Sequence, residues 1–425
     1  MSEPRSFEAR TTPFDREVVP PGDKSLAHRA LILAAMAEGT SLVANQPRGA
    51  DVLSTRTATM ALGVEYSGDR VISTGIEGWT TPQTALDCGN SGTTMRLLTG
   101  ALAGSPVGTS LVGDPSLMRR PMRRLVEPLA VLGADISVTD AGTAPINVTG
   151  TPLEGAEVSV PMASAQVRTA VALAALTARG ATTVDSPPGF RDHTERWLTH
   201  LGLGRVESAT TFVVIPGPVP PFEITLPGDP SSAAFLWAAA AVLPGSRIVT
   251  PNVSLNPGRT GFLEVLEAMG AGVTLEGTDP VLGDPVGTVT VEGGTLNGID
   301  VSGDLTVRSL DELPLLAVVA AAAEGRTTVT DAGELRFKES DRISSSVELA
   351  RLAGAEAVDQ TDGFTVVPTR SSLGVGLLDA AGDHRVAMAA AVAALVRGAP
   401  VSVAGFGAAD VSWPGFGEVL EGMWS

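Results

Sequence analysis

Lysine stands at only two places in this chain, Lys24 and Lys338; every other basic residue is arginine. Lys24 lies in Pro20-Pro21-Gly22-Asp23-Lys24-Ser25-Leu26-Ala27-His28-Arg29, at the mouth of an apolar stretch, 26–37, that predicts a helix. The lysine ammonium is a compact point charge with three donors, suited to phosphate and to proton transfer. Ser25 and Arg29 are four apart and share a face of that helix. Lys338 sits in Phe337-Lys338-Glu339-Ser340-Asp341-Arg342, where Lys338 and Arg342 repeat the i,i+4 spacing with Glu339 beside them. A lysine next to a glutamate can exchange protons with a carbon centre when both are desolvated; the plainer reading is an ion-paired helix start. Asp311-Glu312-Leu313-Pro314 precedes a fully apolar stretch. It reads either as ordinary capping acids or as a carboxylate base facing a hydroxyl.

Cations recur at predicted helix entrances. Arg96 follows Gly89-Asn90-Ser91-Gly92-Thr93-Thr94-Met95, and Arg168 follows Ser164-Ala165-Gln166. Arg385 ends Asp383-His384-Arg385, directly before the apolar stretch 386–396. A helix N-terminus favours anions by about 0.3–1 kcal/mol, so a cation there is locally wrong. Local rules broken together point to a functional site, and cations with free helix N–H groups bind phosphate or carboxylate. Met118-Arg119-Arg120-Pro121 offers another arginine pair, equally readable as surface charge. The glycine turn at Gly89 lacks the ending of a P-loop and is not a dinucleotide fingerprint. Gly189-Phe190-Arg191-Asp192-His193-Thr194 reads as a loop cap or as another anion contact.

The elements that must position these groups repeat. An Ala-rich apolar helix, a glycine turn and a β-branched strand occur at 30–43, 96–112, 171–184, 235–249, 315–329 and 388–403. A second, more amphipathic helix type ends before Gly63, Gly133, Gly202, Gly270 and Gly354, where glycine supplies the left-handed cap. The first type is apolar nearly all round and should be buried; the second should lie outside or against a sheet. Six units of about seventy residues fill the chain, a period longer than that of usual solenoid repeats. Three units on each side of a boundary make two similar domains. The proline-rich breaks at 216–221, Pro227-Gly228-Asp229-Pro230 and Pro20-Pro21-Gly22 mark two crossings. The expected lobes are 21–227, and 1–20 together with 228–425.

A chain of 425 residues can bury a large core. Its net charge of −18 makes nucleic acid and anionic membrane poor partners. The positive field must then be concentrated in a cleft, and the implied ligand carries several negative charges. The single cysteine, Cys88, excludes an intrachain disulfide and a cysteine-based structural zinc site. His28, His193, His200 and His384 show no metal spacing, and no serine-triad motif is present. No apolar run reaches the ~18–20 residues of a membrane span, and no signal peptide is read at the N-terminus. A cytoplasmic location is expected.

Taken together, the motifs resemble the 5-enolpyruvylshikimate-3-phosphate (EPSP) synthase family over nearly the whole chain. Pro21-Gly22-Asp23-Lys24-Ser25…Arg29 is similar to its Pro-Gly-x-Lys-Ser…Arg signature, and Gly89-Asn90-Ser91-Gly92-Thr93…Arg96 to its Gly-Asn-x-Gly-Thr…Arg loop. Lys338-Glu339-Ser340-Asp341-Arg342 and Asp383-His384-Arg385 resemble its C-terminal signatures. The resemblance implies an α/β fold of two domains, each three βαβαββ units in an inside-out α/β barrel, with the active site in the interdomain cleft. It implies transfer of enolpyruvyl from phosphoenolpyruvate to the 5-hydroxyl of shikimate 3-phosphate, with release of phosphate. No metal or organic cofactor is implied; the partners are those two small molecules, and the protein is expected to be a monomer.

By the same resemblance, Lys24, Ser25 and Arg29 hold shikimate 3-phosphate, with Lys24 also reaching phosphoenolpyruvate. Asn90, in the glycine loop, is a substrate-binding candidate, and Gly92, Arg120, Arg342 and Arg385 line the phosphoenolpyruvate site. Ser164, Ala165, Gln166 and Lys338 lie at the shikimate 3-phosphate site. Asp311 takes the hydroxyl proton, while Glu339 and Lys24 handle the proton at the methylene carbon. The chain departs from the pattern at Val411, where many members carry a lysine, and at Ser164-Ala165-Gln166, commonly Ser-Ser-Gln. Arg168 and Arg191 are candidates for replacement charge. These changes bear on phosphoenolpyruvate affinity and on response to glyphosate, the family's inhibitor. Two other readings share the fold: a UDP-N-acetylglucosamine enolpyruvyl transferase, and a non-catalytic anion-binding relative.

Overall fold

A computed structural model describes residues 3–188, 191–369 and 376–424. The chain forms two compact units. One comprises Gly22–Pro227 with Pro280–Asp284; the other comprises the residues up to Pro21, Gly228–Asp279 and Pro285 onward. Residues 280–284, assigned from sequence to the C-terminal lobe, pack instead with the N-terminal unit.

Within each unit the βαβαββ pattern is explicit. In the N-terminal unit one copy runs Leu86–Asp87, Gly92–Ala103, Thr109–Val112, Arg123–Ala130, Asp135–Ser137 and Ile146–Thr149. The next runs Glu157–Ser159, Ala165–Ala175, Thr182–Asp185, His193–His200, Gly204–Val206 and Thr211–Val214. Each copy builds a four-stranded sheet whose first pair is parallel and whose other pairs are antiparallel. The inner helix is the crossover that a parallel pair requires. Glycines end the second helix type as expected: Gly63, Gly133, Gly202, Gly270 and Gly354 all have positive φ.

Three sheets borrow a strand from a distant part of the chain. Glu223–Thr225 opens the first sheet of the N-terminal unit by pairing with Glu38–Ala44. In the C-terminal unit Asp15–Glu17 opens one sheet against Arg247–Ser254, and Arg5–Phe7 pairs with Val401–Ala404 in another. In each unit the sheets remain separate and lie around buried inner helices, the inside-out layout that was expected, without a closed barrel among the described residues. The physical reason is that inner helices hold the sheets together. Lys24–Met36, Gly92–Ala103 and Ala165–Ala175 are buried along most of their length in one apolar cluster. Pro230–Ala241, Leu313–Ala322 and His384–Arg397 fill the centre of the other. Alanine and glycine let these helices approach closely: a Cβ on Gly100 would lie 2.1 Å from the Ala170 carbonyl oxygen.

Candidate active site

In the N-terminal unit the inner helices begin with capped first turns that carry the side chains singled out from sequence. Asp23 accepts the Leu26 N–H at 3.0 Å and so sets the start of Lys24–Met36. Lys24 then sits against the helix dipole, and Asp51 compensates: Nζ lies 2.9 Å from Asp51 Oδ2. Both side chains are largely but not wholly buried, 19% and 12% exposed, so the ammonium stays reachable. Asp51 was not among the residues expected from sequence. Its position near the start of helix Ala50–Ala61 looks like ordinary capping, and only the fold brings it to Lys24.

Ser91 caps the next inner helix through the Thr94 N–H. Asn90 bridges two charged groups, donating from Nδ2 to Asp114 Oδ2 at 2.6 Å and accepting from Arg120 Nη2 at 2.5 Å. Gly92 opens the helix beneath two guanidinium groups: a Cβ there would lie 2.8 Å from Arg96 Nη1 and 3.4 Å from Arg120 Nη1. Arg96 Nη1 donates to Gln166 Oε1 at 2.6 Å, and Gln166 Nε2 donates to Thr93 Oγ1 at 2.8 Å. Gln166 thereby joins the start of Ala165–Ala175, capped by Ser164, to the glycine-turn helix. Ala165 offers only its backbone there.

Arg29 lies one turn deeper, 3% exposed. Its Nε donates to Thr194 Oγ1 at 2.9 Å, Nη2 to Thr169 Oγ1 at 3.0 Å and Nη1 to the Ser25 carbonyl at 2.9 Å. Burial lowers its pKa to about 10; Glu195, Asp23 and Asp284 oppose the shift and Arg191 adds to it. Arg191 therefore acts in the same electrostatic neighbourhood. Gly189 and Phe190, earlier in that motif, lie outside the described residues. Arg168 departs from the expectation that it adds charge to the site. It is 2% exposed, pairs with Glu195 and donates to Ser186 Oγ and the Thr210 carbonyl. From the first turn its side chain reaches helix His193–His200, where a buried carboxylate captures it.

In the C-terminal unit Asp311 occupies the turn Leu310–Glu312, before helix Leu313–Ala322. Three cations surround it: Arg342 Nη1 at 3.2 Å, Lys338 Nζ at 3.7 Å and Arg385 Nη2 at 3.8 Å. Glu312, 4% exposed, takes Arg385 Nη1 at 3.2 Å. Arg342 is buried and also meets Glu339 at 2.7 Å and Asp383 at 2.8 Å. Burial alone would lower the Arg342 pKa; the fields of Asp383, Glu339 and Asp311 outweigh it and raise the value. Burial likewise pushes against the Asp383 charge, but Arg342 holds that carboxyl below its ordinary range. Asp383 caps helix His384–Arg397 through the Arg385 N–H, placing Arg385 in the first turn.

Lys338 and Arg342 do not share a helix face as their spacing predicts. Lys338 is extended after the turn Gly333–Phe337, and Asp341 caps a helix that starts only at Arg342. They meet at Asp311 instead. Val411 ends the turn Phe406–Val411 and supplies no charge. Cys88 is fully buried, its thiol pushed up to about 12 by desolvation and then by Asp87. It lacks the accessible, ionisable character of a reactive loop cysteine.

Paired repeats of βαβαββ units, with capped inner helices presenting cations and carboxylates, define an enolpyruvyl transferase fold. The enolpyruvyl transferase NikO of Streptomyces tendae shares it, with a TM-score of 0.76 over 99% of this chain and 98% of that one; at 18% identity this likeness bears on fold alone. The chain belongs to the EPSP synthase (3-phosphoshikimate 1-carboxyvinyltransferase) family, whose model matches residues 9–420. A 3-phosphoshikimate 1-carboxyvinyltransferase of Halorhodospira halophila is 45% identical over 407 residues, 94% of this chain and 91% of the relative. EPSP synthase of Acinetobacter baumannii superposes with a TM-score of 0.86 at 36% identity, covering 99% and 98% of the two chains. No helix among the described residues is long and apolar enough to cross a membrane.

Proposed function

We infer that the protein transfers the enolpyruvyl group of phosphoenolpyruvate to the 5-hydroxyl of shikimate 3-phosphate and releases inorganic phosphate, the step before chorismate formation. The observation that carries this reading is Asp311, a carboxylate among Lys338, Arg342 and Arg385 in a chain similar to the family almost end to end. Asp311 removes the hydroxyl proton as oxygen attacks C2 of phosphoenolpyruvate. Glu339 and Lys24 deliver a proton to the methylene carbon, giving a tetrahedral adduct. Elimination returns that proton to the protein, breaks the C2–O bond to phosphate and leaves the enolpyruvyl ether.

The substrate carboxylates and phosphates account for the cations. Lys24, Ser25, Arg29, Ser164, Gln166, Arg191 and Lys338 hold shikimate 3-phosphate, and Lys24, Gly92, Arg120, Arg342 and Arg385 hold phosphoenolpyruvate. Asn90 steadies Arg120. A cytoplasmic monomer belongs to the same proposal, and light scattering at the mass of one chain checks the second part.

Incubation with both substrates should release phosphate and yield the enolpyruvyl ether by NMR. Folded protein that gives neither at saturating substrate overturns the reading. Product from UDP-N-acetylglucosamine in a parallel reaction replaces it with the sister activity.

A further inference from the structure

The motif Arg191-Asp192-His193-Thr194 finds its partner far away in sequence. Between strands Gly272–Gly277 and Val286–Glu292 of the C-terminal unit, the chain leaves for five residues, Pro280–Asp284, that pack in the N-terminal unit. The last of them, Asp284, is fully buried, with its carboxylate oxygens 3.0 and 3.1 Å from His193 Nδ1. His193 is fully buried as well and is the first residue of helix His193–His200. The next two residues are also fixed: Thr194 accepts Arg29 Nε and meets Thr169 at 2.7 Å, while Glu195 pairs with Arg168. The first turn of this helix is thus pinned at three successive side chains.

The guanidinium of Arg29 presents its Nε–Nη2 edge to the Thr194 and Thr169 hydroxyls. Three of its five N–H donors are engaged, and one hydrogen on each Nη remains. Which way those two hydrogens point depends on where Thr194 stands, and Thr194 is carried by the turn that Asp284 anchors.

We propose that Asp284 is a positioning residue for Arg29: it fixes His193, and through the shared helix turn sets the Thr194 hydroxyl that aims the Arg29 guanidinium at the phosphorylated substrate. The proposal rests on the assignment of Arg29 to the shikimate 3-phosphate site. Asp284 is not a catalytic residue, since it acts through His193 and Thr194. It also contributes to the field that opposes loss of the Arg29 proton.

Asp284→Asn keeps the shape but weakens the hold on His193. It should raise KM for shikimate 3-phosphate about tenfold while kcat and KM for phosphoenolpyruvate change less than about twofold. Asp284→Glu should recover part of the loss, and adding Thr194→Val to Asp284→Asn should cost little more, because both act on one guanidinium. Loss of stability alone would remove active enzyme and lower kcat without this split. An unchanged KM for shikimate 3-phosphate, or equal rises in both KM values, overturns the proposal. Thr194→Val alone should reproduce the split, and it decides the matter where Asp284→Asn fails to fold. Wild-type turnover is measured first, because its absence rejects the assigned reaction separately. A crystal structure of Asp284→Asn then still decides: Arg29 Nε released from Thr194 supports the positioning role, and an unmoved guanidinium ends it.

Discussion

At Asp311 a carboxylate is surrounded by Arg342, Lys338 and Arg385 at 3.2, 3.7 and 3.8 Å. A general base is worth about a hundred- to ten-thousandfold in rate. Asp311→Ala should therefore lower kcat by that factor while calorimetry still detects shikimate 3-phosphate binding; full activity in the variant would remove Asp311 from the role. Gly92 makes a different demand. A methyl group 2.8 Å from Arg96 Nη1 and 3.4 Å from Arg120 Nη1 displaces the ends of two flexible side chains and leaves the backbone alone. Gly92→Ala should fold with an unchanged thermal midpoint, raise KM for phosphoenolpyruvate about tenfold, and alter kcat less. Residue identity made Lys24, Lys338 and the arginines visible in the sequence, because cations at helix entrances break a local rule. Asp51 stayed hidden, because an acid near a helix start obeys one, and Glu312 was visible only beside Asp311 as a capping acid.

The inner helices of the N-terminal unit are joined by a buried polar chain. His28 Nδ1 meets Thr55 Oγ1 at 2.7 Å, Thr55 meets Thr94 at 2.6 Å, and Thr94 donates to Ser91 at 2.7 Å. Three helices, Lys24–Met36, Ala50–Ala61 and Gly92–Ala103, are tied at the level where the site begins. Desolvation lowers the His28 pKa from 6.5 to about 3, with Lys24 and Arg29 adding to the shift and Asp51 opposing it. Between those values the unfolded chain binds a proton that the folded chain refuses. The stabilising contribution of neutral His28 is complete above pH 6.5 and falls as pH drops through that window, by at most about 1.4 kcal/mol per pH unit. Urea midpoints at pH 7 and pH 4.5 should therefore fall further for the wild type than for His28→Gln, and parallel declines would refute the buried-neutral assignment. Element type was legible from alanine-rich runs and glycine caps. The link through Thr55 was not, because polar groups 27 and 39 residues apart leave no periodic trace.

On the scale of the whole molecule, the sixfold pattern was readable because each copy repeats the same helix, glycine and strand. The excursion at 280–284 was not, since a short stretch between two strands looks like any hairpin tip. Nor was the shared acid at Asp311, which replaces the helix face that Lys338 and Arg342 were expected to share. The N-terminal strand shows how far local pattern and long-range packing diverge. Phe7 is 2% exposed, its ring centroid 4.8 Å from that of Phe406, and Phe14 lies 5.1 Å from Trp424. Phe7→Ala should cost about 3–5 kcal/mol. In calorimetry the loss should lower the transition of the C-terminal unit and leave the N-terminal unit's transition in place; a uniform shift would show that the two melt together.

The borrowed strands also dictate an order of events during synthesis. Arg5–Phe7 and Asp15–Glu17 leave the ribosome hundreds of residues before their partners at Val401–Ala404 and Arg247–Ser254. Glu38–Ala44 likewise waits for Glu223–Thr225 before its sheet has a parallel neighbour. The nascent chain must carry an unmatched leading segment through most of translation while the unit beginning at Gly22 matures. Its charged and proline-bearing stretch, Glu3-Pro4-Arg5 through Asp15-Arg16-Glu17, suits that long exposure, because such residues resist pairing with foreign strands in the meantime.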